Sequence, residues 1–249
     1  MISELFILAA QQGQSSGFGG IGIGYWILLG ATALISMLIS GTLKSRFQRY
    51  SQIPTTMTGR EVAEMMLRQN GITDVQVVSV QGQLTDHYDP TKKTVNLSEP
   101  VYNHNSVAAA AVAAHECGHA VQHAKSYAWL TFRSKMVPMV SLASQMMNIL
   151  MIMMFVGMFA FASQAPLFIY LFLGAMAMTA LFSIVTLPVE FDASKRALAW
   201  LDKSGAVRGM EHDQAKDALF WAAMTYVAGA VAAIAQLAYW AMILLGRRD

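Results

Sequence analysis

Charged residues are scarce in this chain. Only 13% of its 249 residues are Asp, Glu, Lys or Arg, whereas soluble domains carry about 25%. Residues 5–43, 136–189 and 218–246 contain none at all. Such long charge-free stretches exclude an ordinary soluble domain, and they predict an integral membrane protein.

Two further scarcities narrow the possible functions. The chain has one cysteine, Cys117, which excludes an internal disulfide bond and fits a reducing compartment. The net charge is only +2, and no basic stripe with interleaved aromatic residues occurs. We therefore expect no nucleic-acid partner.

The charge-free stretches predict four transmembrane helices. A helix needs about 20 apolar residues to cross the hydrocarbon core. The first and third stretches each hold one such helix, and the second holds two, separated by a short turn at residues 163–166. The predicted spans lie near residues 21–40, 136–162, 166–187 and 221–245.

The basic residues predict how these spans are oriented. Ten Lys or Arg residues occur from Lys44 to Lys135, and five from Lys195 to Lys216. With two spans between them, both segments lie on one side, which the positive-inside rule assigns to the cytoplasm. Arg247 and Arg248 would then lie outside, and a fourth segment that does not fully cross would also explain them.

The strongest motif in the sequence is His115-Glu-Cys-Gly-His119, which follows a run of alanine and valine with Ser106 as its predicted N-cap. On a helix, residues four apart lie on the same face, so both imidazoles can bind one zinc ion. Glu116 can then activate a zinc-bound water. Gln122 and Lys125 exclude the metzincin version of this motif. The alternative is a helix with two surface histidines and no metal.

A third ligand is predicted at the end of the third span. There Glu190 enters a segment with helical character, and its carboxylate can complete a two-histidine, one-glutamate site. Asp192 could orient a ligand histidine. The alternative for Glu190 is a charge at the membrane boundary. Charge counting, which ignores the motif, places Glu190 on the same face as His115 and His119, and this favours the ligand.

The segment between the first span and the motif predicts a small α+β unit. A capping box at Thr58–Glu61 opens a helix that runs through Asn70, followed by a strand at 75–80. Residues 84–98 predict a hairpin with Asp89-Pro90 at its turn. Its second strand is either an ordinary hairpin strand or the edge on which an extended substrate pairs; its residues are Thr94, Val95, Asn96, Leu97 and Ser98.

Four blocks of sequence resemble a known family. They are Leu-Thr-Asp-His-Tyr-Asp-Pro (84–90), Ala-Ala-His-Glu-Cys-Gly-His-Ala-Val-Gln (113–122), Leu-Pro-Val-Glu-Phe-Asp-Ala-Ser-Lys-Arg-Ala (187–197) and Ala-Ala-Met-Thr-Tyr-Val-Ala (222–228). Together they resemble the YugP-like neutral zinc metallopeptidases of bacterial membranes. The arrangement of motifs in that family is similar to that in the HtpX and CAAX-prenyl proteases. In those relatives the third ligand begins an E-x-x-A-D segment. Here Ser194 stands in place of the aspartate.

The resemblance implies a zinc-dependent integral-membrane peptidase with Zn²⁺ as cofactor, and it carries no particular substrate with it. Together with the charge pattern, it predicts an α-helical integral membrane protein with about four transmembrane helices and a small zincin-like α+β peptidase domain on the cytoplasmic face. We expect a multi-pass protein of the bacterial inner membrane that acts on a polypeptide, which could be a membrane protein. The expected segments are an N-terminal part with the first span (1–42), the zincin-like domain (43–135), a transmembrane hairpin (136–187), the third-ligand segment (188–220) and the last span with its tail (221–249).

The predicted activity is that of a gluzincin-like zinc metalloendopeptidase. Glu116 would take a proton from the water and pass it to the leaving amine. The candidates for stabilising the oxyanion are His212, His123, His87 and Arg196, with His123 more suited to a hydrogen bond than to a fourth metal bond. Two alternatives remain: a non-catalytic zinc-stabilised membrane scaffold, and a transporter, which the absence of charges within the predicted spans disfavours.

Overall fold

The computed structural model describes residues 22–155 and 166–245. The helices are α1 (Ile23–Tyr50), α2 (Gly59–Gln69), α3 (Glu99–Asn103), α4 (Val107–Ala124), α5 (Ala128–Phe155), α6 (Pro166–Ser204) and α7 (Met210–Leu245), and the strands are β1 (Gln76–Val80), β2 (His87–Asp89) and β3 (Thr94–Ser98). The described residues are therefore mostly helical and contain one small sheet, as the sequence predicts.

The described residues divide into two compact units. One comprises residues up to Leu38, Lys135–Ile184 and Val227 onwards, and the other comprises Ile39–Ser134 and Val185–Tyr226. The second unit therefore combines the predicted zincin-like domain with the segment that carries Glu190. We call it the site unit.

Within the described ranges, three helices are long and apolar enough to cross a membrane, namely Ile23–Tyr50, Leu167–Ser204 and Met210–Ile243. Many of their large apolar side chains are exposed, including Trp26, Leu38 and Leu167, which suits a lipid environment. The second predicted span, 136–162, coincides with α5 as far as Phe155; its remaining residues and most of the turn at 163–166 lie outside the described ranges. The prediction of four crossings therefore stays a prediction.

The third-ligand helix is longer than its sequence suggests. The predicted third span is 166–187, but α6 continues through Pro188 and comprises 39 residues in total. A proline removes one backbone donor and crowds the preceding turn. Here the helix nevertheless runs on past Pro188, so Glu190 belongs to the same helix as the predicted span.

The site unit begins with the predicted capping box. The Thr58 side chain accepts from the Glu61 amide, and the Glu61 side chain accepts from the Thr58 amide. Gly71, with φ 72°, ends α2 in the left-handed conformation that glycine adopts without strain. The buried face of α2 includes Val62 and Met66, as the helical spacing predicts.

The sheet confirms the hairpin but corrects the predicted edge. β3 pairs antiparallel with β2 and parallel with β1, so the strand order is β1-β3-β2. Thr94–Ser98 is therefore the central strand, and the prediction that it forms the substrate-binding edge is wrong. The parallel pairing of β1 with β3 occupies the backbone groups that the prediction left free. The two outer strands are β1 and β2.

Candidate metal centre

Helix α4 carries the motif and begins as its sequence predicts. The Ser106 side chain accepts a 3.2 Å hydrogen bond from the Ala109 amide. The alanines that follow are almost entirely buried, and their small side chains allow other elements to pack closely. His115 and His119 lie on one face, with ring centroids 4.8 Å apart and planes at 85°.

Glu190 meets these two imidazoles from α6. Its Oε2 atom lies 3.3 Å from His115 Nε2 and 3.6 Å from His119 Nε2. The side chain is almost fully buried, and Oε2 has no hydrogen-bond partner among the described residues. One potential ligand atom from each of the three residues lies within 4.8 Å of the corresponding atoms of the other two. The structure thus brings together the three ligands nominated from the sequence.

This donor set fits a zinc ion. Two imidazole nitrogens and one carboxylate oxygen are the three protein ligands of a class of catalytic zinc sites. Burying a carboxylate oxygen without a hydrogen-bond partner is costly, unless a cation completes its surroundings. The unpartnered Glu190 Oε2 between two Nε2 atoms is therefore what a metal-binding role requires.

Each histidine faces Glu190 with its Nε2 atom and contacts another side chain with its Nδ1 atom. The Ser194 hydroxyl lies 3.1 Å from His115 Nδ1, and the Gln122 side-chain oxygen lies 3.1 Å from His119 Nδ1. Asp192 contacts neither imidazole, although its sequence position suggested that it orients one. Its carboxylate accepts a 2.8 Å hydrogen bond from Gln122 Nε2 instead. Ser194, at the usual aspartate position, makes the direct contact.

Close approach of α4 and α6 makes this arrangement possible. A Cβ atom on Gly118 would lie 2.6 Å from the Ala193 carbonyl oxygen. Real Cβ atoms do not approach so closely, so only glycine allows the two helices to meet at this point. Gly118 thus brings the motif helix within reach of Glu190 and Ser194.

Two residues that the sequence analysis did not nominate for chemistry also lie at the centre. Arg133 Nη2 is 3.8 Å from Glu190 Oε1, and the Tyr226 phenol interacts with the carboxylates of Glu190 and Glu116. Tyr226 lies in the fourth sequence block that carried the resemblance, but no spacing rule links it to the motif. In the sequence, Arg133 is one of the basic residues that predict the orientation of the membrane spans.

The four oxyanion candidates are placed differently. His123 Nδ1 forms a 2.8 Å hydrogen bond with the Tyr88 hydroxyl, which matches the expected hydrogen bond rather than a metal bond. Arg196 donates to Asp192 over 2.6 Å, and His87 Nδ1 lies 2.8 Å from the Thr85 carbonyl oxygen. His212 lies in the first turn of α7. None of these three histidines belongs to the group formed by His115, His119 and Glu190.

The fold and this donor set define a class: membrane proteins with a metallopeptidase-type His-His-Glu centre. Comparison with known proteins gives the family. Residues 25–245 match the family described as "Putative neutral zinc metallopeptidase", and the chain belongs to that family. It is also 41% identical over 209 residues to the "Putative membrane protease YugP" of Bacillus subtilis (strain 168), covering 83% of this chain and 90% of that protein. No solved structure matches the chain.

Proposed function

We propose that this protein is a membrane metallopeptidase that hydrolyses peptide bonds at a zinc ion held by His115, His119 and Glu190. The observation that carries the proposal is the position of Glu190 Oε2, buried and within 3.6 Å of both Nε2 atoms. Membership of the zinc metallopeptidase family supports the choice of metal. When bound, zinc supplies a Lewis acid that acidifies water and polarises a carbonyl group.

Glu116 is the proposed general base. It follows the first ligand histidine directly and is 9% exposed, so it lies beside the metal site without belonging to the ligand group. Its carboxylate takes a proton from the water that attacks the scissile carbonyl carbon. It then passes that proton to the amine nitrogen as the peptide bond breaks.

Tyr226 and Arg133 are the proposed partners of the developing oxyanion. Tyr226 is a partly exposed residue, and its phenol interacts with the carboxylates of Glu190 and Glu116. Arg133 adds a positive charge next to Glu190. Donors preorganised in this way stabilise the charge that forms on a carbonyl oxygen. We propose them in place of the four candidates that the sequence suggested.

The substrate is proposed to pair with β2. This strand is an outer strand of the sheet, and the hydrogen bond between Tyr88 and His123 ties it to the motif helix. The exposed backbone groups of an outer strand can bind an extended peptide. Placing the strand beside α4 would bring the scissile bond to the metal.

The membrane arrangement completes the proposal. Three helices are suited to crossing, and α5 is the proposed fourth. The distribution of basic residues supports a position of the site unit at the cytoplasmic face of the bacterial inner membrane. A peptide segment near that face is then the natural substrate.

A Glu116→Gln variant tests the proposal. Purified wild type and variant would be compared by metal analysis and by the products formed from a proteome-derived peptide library. We expect equal zinc content and loss of the products in the variant, because an amide cannot accept the proton. Equal product patterns would show that this site does not hydrolyse peptides. Wild-type protein that binds zinc but yields no products would favour the zinc-stabilised scaffold.

A further inference from the structure

Gln122 uses every hydrogen-bonding group of its side chain, and it is completely buried. Its Nε2 atom donates to the Val189 carbonyl oxygen and to Asp192 Oδ2, each over 2.8 Å. Its Oε1 atom lies 3.1 Å from His119 Nδ1. The Gln122 amide thus connects His119 to Val189 and Asp192, which lie one residue before and two residues after Glu190 in the sequence.

These contacts fix which way the amide points. The Val189 carbonyl and the Asp192 carboxylate only accept hydrogen bonds, so the amide nitrogen must face them and the oxygen must face His119. An amide oxygen also only accepts. His119 must therefore carry a proton on Nδ1, and in the neutral imidazole this leaves Nε2, which lies 3.6 Å from Glu190 Oε2, as the nitrogen that can bind a metal.

Asp192 is itself held in place. Arg196 donates to both of its carboxylate oxygens, over 2.6 and 3.3 Å, and the guanidinium lies 5.7 Å from the centroid of the Tyr127 ring. The backbone amide of Tyr127 in turn donates to the Gln122 carbonyl. The contacts thus run from the Gln122 side chain through Asp192, Arg196 and Tyr127 back to the Gln122 backbone. They restrict rotation of the Gln122 side-chain amide.

The other histidine is held less selectively. The Ser194 hydroxyl lies against His115 Nδ1, and a hydroxyl can both donate and accept. This contact therefore positions the ring without selecting its tautomer. Of the two contacts, only the one between Gln122 and His119 selects a tautomer, because an amide oxygen can only accept.

We propose that Gln122 is a positioning residue that sets His119 in its metal-binding tautomer only when α6 is docked in register. Val189 and Asp192 orient the amide, so the same contact that seats the third-ligand helix prepares the second ligand histidine. The inference rests on the proposed function, because it assigns a metal to His119. It adds that zinc binding depends on the Gln122 side chain as well as on the three ligand residues.

The test is zinc affinity, measured by competition with a chromophoric chelator on the full-length protein in detergent. Gln122→Met keeps the size and removes the hydrogen bonds, and we expect it to bind zinc about 10–100-fold more weakly. Zinc affinity equal to wild type in Gln122→Met would overturn the proposal.

Gln69→Met is the matched control. Gln69 Oε1 accepts a 2.9 Å hydrogen bond from Trp200 Nε1, so it too links another helix to α6, but not at the metal centre. We expect it to lower the melting temperature of the metal-free protein and to leave zinc affinity unchanged. If Gln69→Met and Gln122→Met weaken zinc binding equally, Gln122 only packs helices, and the proposal is wrong.

A His119→Ala variant separates this inference from the proposed function. If it binds zinc as well as wild type, the metal site itself is wrong. If it loses zinc while Gln122→Met does not, the metal site stands and only the positioning role fails.

Discussion

The hydroxyl of Tyr50 donates a 2.7 Å hydrogen bond to Oδ2 of Asp217. Tyr50 is the last residue of α1 and is buried, and Asp217 lies on α7. Arg46 adds an ion pair to the same carboxylate oxygen at 3.5 Å. Two helices that are far apart in sequence are thus joined by a charge-assisted hydrogen bond within the site unit.

Tyr50→Phe should therefore destabilise the protein without changing its chemistry. The substitution removes one hydrogen bond to a charged group, which is worth about 1.5–3 kcal/mol. We expect a lower melting temperature in detergent, with unchanged zinc content. Arg46→Met should have a smaller effect, because the Arg46 side chain is 38% exposed and exposed ion pairs contribute little. A larger loss for Arg46→Met than for Tyr50→Phe would contradict this ranking.

Gly118→Ala should weaken the metal centre through packing alone. The added methyl group would meet the Ala193 carbonyl oxygen at 2.6 Å, so α4 and α6 must move apart. Overpacking of this kind costs about 1–3 kcal/mol. Because α6 carries Glu190, we expect zinc affinity to fall together with the melting temperature.

Gly174→Ala is the control for that prediction. It adds the same methyl group to α6, but at a position with no atom within 4 Å. We expect zinc affinity equal to wild type. Unchanged zinc binding in Gly118→Ala would mean that the helices can separate without disturbing the ligands.

Local patterns explain why much of the fold and the ligand set could be predicted. Helix α4, the capping box and the β2–β3 hairpin depend on residues close together in sequence, and all three form as expected. Glu190 could be nominated because the positions of the basic residues restrict which segments share a membrane face. That restriction predicts that Glu190 lies on the same membrane face as the motif histidines, without reference to any contact between them.

Contacts between distant residues could not be predicted in the same way. The parallel pairing of β1 with β3 leaves no local signal, and it turned the predicted edge strand into a central one. In the sequence, Gln122 is informative only as a departure from the metzincin pattern, because its partner Asp192 lies 70 residues further on. Sequence spacing correctly suggested that Asp192 belongs near the site, but not that an amide stands between it and the histidine.

Tyr226→Phe should separate catalysis from metal binding. The variant keeps the ring and removes the hydroxyl that interacts with Glu190 and Glu116. If that hydroxyl stabilises the oxyanion, kcat should fall about 100-fold or more, with zinc content unchanged. The measurement requires a peptide identified with the wild-type enzyme. A rise in KM with constant kcat would assign Tyr226 to substrate binding instead.

Asp86 should make stability depend on pH. Burial raises the pKa of this carboxyl above its ordinary value, although the backbone amide and hydroxyl of Ser98 both donate to it. A raised pKa means that the folded protein holds the proton more tightly than the unfolded chain does. The contribution of Asp86 is therefore most favourable below its unfolded pKa, and it declines as pH rises through the higher folded value.

Asp86→Asn isolates this contribution, because the amide oxygen can still accept from Ser98 but cannot ionise. We expect the melting temperature of wild type, relative to Asp86→Asn, to fall as pH is raised from about 4 to 7. Thermal unfolding of both proteins in the same detergent across that range provides the measurement. A difference that stays constant with pH would mean that Asp86 titrates alike in the folded and unfolded states, and a difference that grows in favour of wild type would mean that its hydrogen bonds outweigh burial.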